Sequence, residues 1–183
     1  MKLPNITILD EVDKRLRQKS SEVTFPLSTK DKQNIENMLT YLKMSQIPEY
    51  EEEYNLRAGM GLAYIQIGIP KRIFVIVEEL EDESFKDYII INPKIISHSE
   101  EMIYVGEGEG CLSINREVEG IVPRFARATI EYQDTEGNKK RIRVREDIAI
   151  AFQHEIDHLN GILFIDRIDP KNPFKNAEKY REI

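Results

Sequence analysis

Residues 153–161 read Gln-His-Glu-Ile-Asp-His-Leu-Asn-Gly, and this stretch carries two of the chain's three histidines. His154 and His158 stand four apart. On an α-helix such residues lie one above the other, with Cβ atoms about 5–6 Å apart. Two imidazoles at that spacing reach a single metal ion. Glu155 projects beside them, where it can take a proton from a water on the ion. This is HExxH, two ligands plus a general base, the pattern of metal hydrolases. The alternative is a surface helix whose two histidines pair with nearby acids.

The residues around the motif predict a helix over 147–160. Ile148, Ala151, Phe152, Glu155 and Leu159 recur at spacings of three and four. Asp147 is placed to cap the start, and Gly161 falls where a left-handed residue closes a helix.

A catalytic centre of this type takes three protein ligands and keeps one position open for water. Continuing the motif as HExxHxxGxxH reaches Gly161 but ends on Phe164, which binds no metal. Glu178 lies farther along, after Pro170 and Pro173. It suits a zinc endopeptidase, but reads more simply as a solvated acid near a chain end. Cys111 lies in Gly-Glu-Gly-Glu-Gly-Cys-Leu-Ser-Ile (106–114). A thiolate is a strong ligand for iron, zinc or cobalt. A lone cysteine is otherwise a small buried hydrophobe; its glycine-flanked setting, beside a helix short of one ligand, favours the metal. His98, the remaining histidine, would close the centre into a structural metal-binding module as a fourth ligand. Its setting between strands reads as a surface turn.

The elements that must position these groups follow from the periodicity. Residues 29–46 form a helix capped by Ser28, with Ile35, Met38, Leu39 and Leu42 as its buried stripe. Residues 47–58 read as a loop. The apolar, glycine-rich stretch 59–70 allows close backbone approach. Strands are expected at Ile73–Val77 and Tyr88–Ile91, with Lys94–Ser97 and Met102–Val105 continuing the pairing. Ala128–Gln133 and Lys139–Val144 flank Asp-Thr-Glu-Gly as a hairpin, and a short strand at Ile162–Ile165 follows the HExxH helix. The expected fold is α+β: mostly antiparallel sheets packed around a central HExxH-bearing helix, plus an N-terminal helix. One domain spans 1–183.

Composition sets the limits. The chain is 40% hydrophobic and 32% charged, as ordinary globular proteins are. It shows no run of membrane-span length and no signal-peptide core, so cytoplasmic localisation and no membrane partner are expected. With one cysteine there is no internal disulfide. The net charge of −7 argues against a nucleic-acid surface. The exception is Lys-Lys-Arg-Ile-Arg-Val-Arg (139–145). On a strand it places Arg141, Arg143 and Arg145 on one face, and it reads as a solvated hairpin.

Gly-Met-Gly-Leu-Ala-Tyr-Ile-Gln (59–66), Glu-Gly-Cys-Leu-Ser (109–113) and the HExxH segment, in that order, together resemble peptide deformylase. The motifs cover about twenty residues, and the spacing extends the likeness over most of the chain. The insertion-rich stretch before Gly59, and Asn115 after Gly-Cys-Leu-Ser-Ile, are similar to the Gram-positive, type 2 branch. The resemblance implies hydrolytic removal of the N-formyl group from the formylmethionine of new polypeptides, with release of formate. It implies that Cys111, His154 and His158 hold the metal, with Fe(II) expected and Zn, Ni or Co accepted. Glu155 would be the general acid/base, and the Gln66 amide and the Leu112 N–H would hold the oxyanion. Gly61 and Gly110 would lie along the substrate backbone; Met60, Ile150 and Ala151 would line the methionine pocket. Formylated nascent chains are the implied partners, at the ribosome, for a monomeric enzyme. The family's second alanine is Tyr64 here, which reads as filling a gap in the core.

Overall fold

The computed structural model describes all 183 residues. The first long helix, α1 (Thr29–Ser45), starts as its sequence requires: the Ser28 hydroxyl accepts the Asp31 N–H at 3.0 Å. The predicted stripe of Ile35, Met38, Leu39 and Leu42 is buried. The loop expected over 47–58 instead contains a short helix, α2 (Pro48–Tyr54). Pro48 stands at the start of the helix, where a missing N–H costs nothing. Asn55 ends it with φ 51°.

Five antiparallel strands form the main sheet in the order β1-β2-β3-β6-β7. They are β1 (Gly61–Ala63), β2 (Ile73–Glu79), β3 (Phe85–His98), β6 (Arg127–Gln133) and β7 (Lys139–Arg145). The segments Tyr88–Ile91 and Lys94–Ser97 belong to one strand, β3. Pro93 falls where the register with β6 shifts, between Ile91 and Lys94, a place where a residue without an N–H is tolerated. Met102–Val105 does not extend this sheet. Its strand, β4 (Met102–Tyr104), pairs antiparallel with β5 (Arg124–Phe125) and parallel with β8 (Arg181–Glu182) in a second, three-stranded sheet.

The HExxH helix is α3 (Glu146–Leu159). It follows β7 directly. Asp147 is not its cap: Arg145 holds that place without a side-chain cap bond, and Asp147 sits in the first turn, where a carboxylate favours the positive end of the helix. Gly161 takes the left-handed conformation, φ 74°. The strand expected at Ile162–Ile165 does not form; Phe164–Arg167 makes a 3-10 turn.

Strand β2 explains the layering. Phe74 and Ile76 face α3, whereas Ile73, Val75 and Val77 face α1, as period two demands. Both faces of β2 are therefore covered, so it reads as an unbroken apolar run. Phe152 of α3 sits edge-on to Phe74 and Tyr88, with centroids 5.4 and 5.6 Å away. Such pairs add about 0.5–1.5 kcal/mol beyond area burial. Tyr64 packs on the α1 side, fully buried, and its hydroxyl donates to the Asp31 carbonyl at 2.9 Å. No helix is long and apolar enough to cross a membrane.

Candidate metal and catalytic site

Three chain segments converge at the cleft. Helix α3 supplies His154, Glu155 and His158; the loop between β4 and β5 supplies Cys111; β1 and the turn after it supply Gly61 and Gln66. One donor atom each from Cys111, His154 and His158 lies within 4.8 Å of the other two. Cys111 Sγ is 3.3 Å from His158 Nε2, and the two imidazole centroids are 5.0 Å apart. Cys111 and His158 are buried, and the His154 side chain is 11% exposed. His154 Nδ1 meets Glu109 Oε1 at 2.9 Å, which leaves Nε2 for an ion. One thiolate with two imidazoles suits Fe(II), Zn, Ni or Co. Glu155 Oε2 is buried with no partner in the chain, a state that buried polar atoms rarely keep without water or an ion. The residues therefore fit a divalent metal.

Neither other candidate joins this cluster. Glu178 lies exposed on a 3-10 turn. His98 ends β3, exposed, with its ring stacked on Phe125 at 3.6 Å between centroids. Aromatic stacking accounts for His98 without a metal.

The electrostatics divide the site's two glutamates. Burial pushes Glu155 up to about 7, against the pull of the His154 and Arg124 charges. That value lets it take up and release protons near neutrality. Glu109 is buried too, but hydrogen bonds from His154 and Arg124 hold it at about 2. Burial alone would lower His154, yet its hydrogen bonds to Cys111 and Glu109 carry it well up. His158 is pushed down by burial and by the neighbouring His154 charge.

Behind Glu109 runs a chain of ion pairs. Arg124 donates to Glu109 at 2.8 and 2.9 Å and to Asp157 at 2.7 Å. Arg167 grips Asp157 at 2.6 and 2.7 Å. Arg124, Glu109 and Asp157 are all at most 8% exposed. Sequence reasoning missed this support. Glu109 and Asp157 lie inside the quoted motifs, so a role was signalled without being assigned, whereas Arg124 carries no local signal. Arg57 was missed as well. Its guanidinium donates to the Ile114 carbonyl at 2.7 Å and to the Cys111 carbonyl, bracing the cysteine loop.

The other predicted residues line the same cleft of about 720 Å³: Met60, Gly61, Gln66, Gly110, Leu112, Ile150 and Ala151. Gln66 Oε1 accepts the Ala63 N–H at 2.9 Å, and its Nε2 donates to Ser113 at 3.0 Å and lies 3.7 Å from Cys111 Sγ. This anchoring holds the amide beside the Cys111 thiol. The Leu112 N–H has no acceptor within the chain. Gly61 lets Glu155 lie against β1, since a Cβ there would come within 2.7 Å of Glu155 Oε1 and displace that side chain. At Gly110 a Cβ would meet nothing within 4 Å, so the backbone there is open to the cleft.

A sequence profile of the polypeptide deformylase family matches residues 6–174. A peptide deformylase of Latilactobacillus sakei is 49% identical over 170 residues, 91% of each chain. One of Shouchella clausii is 50% identical over 169 residues, 92% of each. The crystal structure of peptide deformylase from Thermotoga maritima superposes with a TM-score of 0.71 at 33% identity, covering 90% of this chain and 98% of that one.

Proposed function

The chain belongs to the polypeptide deformylase family, and from that premise we propose how its own residues divide the work. The reaction is hydrolysis of the N-formyl group on the N-terminal formylmethionine of new polypeptides, releasing formate. The likeness to the Latilactobacillus and Shouchella enzymes supports a place in the Gram-positive, type 2 branch.

Cys111, His154 and His158 would hold the divalent ion. When bound, the ion supplies Lewis-acid polarisation of the formyl carbonyl and acidifies water. Glu155 takes the proton of the attacking water and passes it to the leaving amine, a transfer that its value of about 7 suits. The Gln66 Nε2 and the Leu112 N–H donate to the oxygen where negative charge develops. A donor of this kind is worth about 3 kcal/mol. Glu109 fixes the tautomer and orientation of His154 by holding Nδ1.

β1 is an edge strand of the main sheet. Its free edge and Gly110 let the substrate backbone pair as an added strand. Met60, Ile150 and Ala151 then surround the methionine side chain. The carrying observation is the convergence of three donor atoms within 4.8 Å beside the buried Glu155, whose Oε2 has no partner in the chain. We assign ferrous iron as the working metal, with nickel, cobalt and zinc as substitutes. A thiolate-held ferrous centre should lose activity in air. The enzyme acts as a cytoplasmic monomer on chains emerging from the ribosome. The endopeptidase alternative loses its third ligand, because Glu178 is exposed and outside the cluster.

The test is anaerobic loading with ferrous iron or nickel, followed by a formate assay on formyl-Met peptides. Formate release at rates typical of enzymes supports the assignment. Cleavage of internal peptide bonds instead, with no formate, overturns it.

A further inference from the structure

The segment 181–183 reaches the cleft from outside the three motifs. Strand β8 (Arg181–Glu182) lies parallel to β4, and the pairing runs on to the next residue: the Ile183 N–H donates to the Tyr104 carbonyl at 3.0 Å, and the Gly106 N–H donates to the Ile183 carbonyl at 3.1 Å. A Cβ at Gly106 would meet the Glu182 side chain, 2.1 Å from its Oε1. Arg181 clasps Glu101 at 2.6 Å and takes both oxygens of Glu146 at 2.9 and 2.8 Å. Glu146 is the first residue of α3. The segment is thus fastened both to the start of the cysteine loop and to the start of the HExxH helix.

This fastening decides where Ile183 goes. Its side chain is half-buried and packs against the cluster of Ile103, Ala126 and Ile150. It lines the same cleft as Cys111, Ile150 and Ala151. A branched aliphatic chain there removes volume from the apolar end of the cleft. We propose that Ile183 is a wall of the pocket for the first side chain of the substrate and sets how large that side chain can be. The proposal rests on the deformylase reading above, with Ile150 and Ala151 in the methionine pocket. A change of one methylene in such a pocket shifts discrimination by about 10–200-fold.

The experiment compares wild type with Ile183→Ala, Ile183→Val and Ile183→Phe. The kcat/KM for formate release is measured on three peptides differing only at the first residue: formyl-Ala, formyl-Met and formyl-Phe. Ile183→Ala should raise the Phe/Met ratio about tenfold, and Ile183→Val should raise it less. Ile183→Phe should lower the Met/Ala ratio by a similar factor. Arg181→Ala, which unfastens the segment, should move the Phe/Met ratio in the same direction as Ile183→Ala. Equal scaling of all three substrates, or unchanged ratios in well-folded Ile183→Val, overturns the proposal, because a purely structural role moves every substrate alike. Calorimetric binding of the unformylated Met and Phe peptides reads the same ratio without turnover. If wild type released no formate, the deformylase reading would fall while the binding ratio still decided the pocket wall.

Discussion

The cleft has two walls built on opposite principles. On the metal side, Cys111, His154 and His158 are backed by buried charge, with Arg124 joined to Glu109 and Asp157 at no more than 8% exposure. On the apolar side, Ile150 and Ile183 are held from outside by Arg181 and its two glutamates, all 38–46% exposed. Removing one partner of a buried pair costs about 3–5 kcal/mol, whereas exposed pairs contribute about 0–1 kcal/mol. The wall that fixes reacting atoms is the expensive one to disturb. The wall to which we assign the substrate side chain is the cheap one to alter, so on that assignment selectivity can change without loss of the chemistry.

The sharpest break in this contrast should come from the ligands themselves. Cys111→Ala removes the only thiol. It should leave the protein folded, strip the metal measured by elemental analysis, and abolish formate release. Full metal content in that variant would remove the thiol from the centre. Glu155→Gln should separate binding from chemistry. It keeps the three ligands and removes the proton carrier, so metal content should hold while kcat falls at least 10²-fold, the scale of about 10²–10⁴ for general acid–base catalysis. Unimpaired turnover would refute the role given to Glu155.

Glu109→Gln tests the support behind the metal wall. A glutamine can still accept from His154 Nδ1, but it leaves Arg124 with one buried anion instead of two. Loss of such an outer partner typically weakens metal affinity by about 10–100-fold. Metal competition with a chelator measures it. An affinity equal to wild type would mean that the ligands hold their places without the ionic chain, and the contrast between the walls would shrink to one of exposure alone.

The two walls also differ in how far the sequence announces them. HExxH needs only a helix and a spacing of four, and the stripe of α3 supplied the helix. Cys111 stood out because it is the single cysteine, set among glycines. The hairpin of β6 and β7 was legible because its strands are adjacent and alternate. Arg124 was not legible: its partners Glu109 and Asp157 lie 15 and 33 residues away, and nothing local marks it. β8 is two residues long and bonds to a strand some 78 positions earlier in the chain. Its place is held by backbone bonds to Tyr104 and Gly106 and by the pairs of Arg181 with Glu101 and Glu146, not by any periodicity of its own. α2 was missed because Pro48 and a run of acids read as a loop, although proline at a helix start is favourable.

The smallest expected effect concerns protons in the metal-free protein, where the site's two glutamates should act with opposite signs. Glu155 is raised to about 7 by burial, so the fold favours its protonated form. Its contribution is fully present below the ordinary glutamate range and is lost as pH rises through about 7. Glu109, held at about 2, contributes above the ordinary range and loses that contribution as pH falls towards 2. Relative to Glu155→Gln, in which the shifted His154 and His158 are shared, metal-free wild type should therefore lose stability from about pH 4.5 to above 7, by an amount on the order of 3 kcal/mol. Glu155→Gln should remove that alkaline loss: it should match wild type near pH 5 and unfold at a higher temperature near pH 8. The same substitution should leave the acid side unchanged, since Glu109 remains. Parallel melting temperatures for both proteins from pH 5 to 8 would show that Glu155 is already ionised in the fold, and that the cleft is wetter beside the metal ligands than their burial indicates.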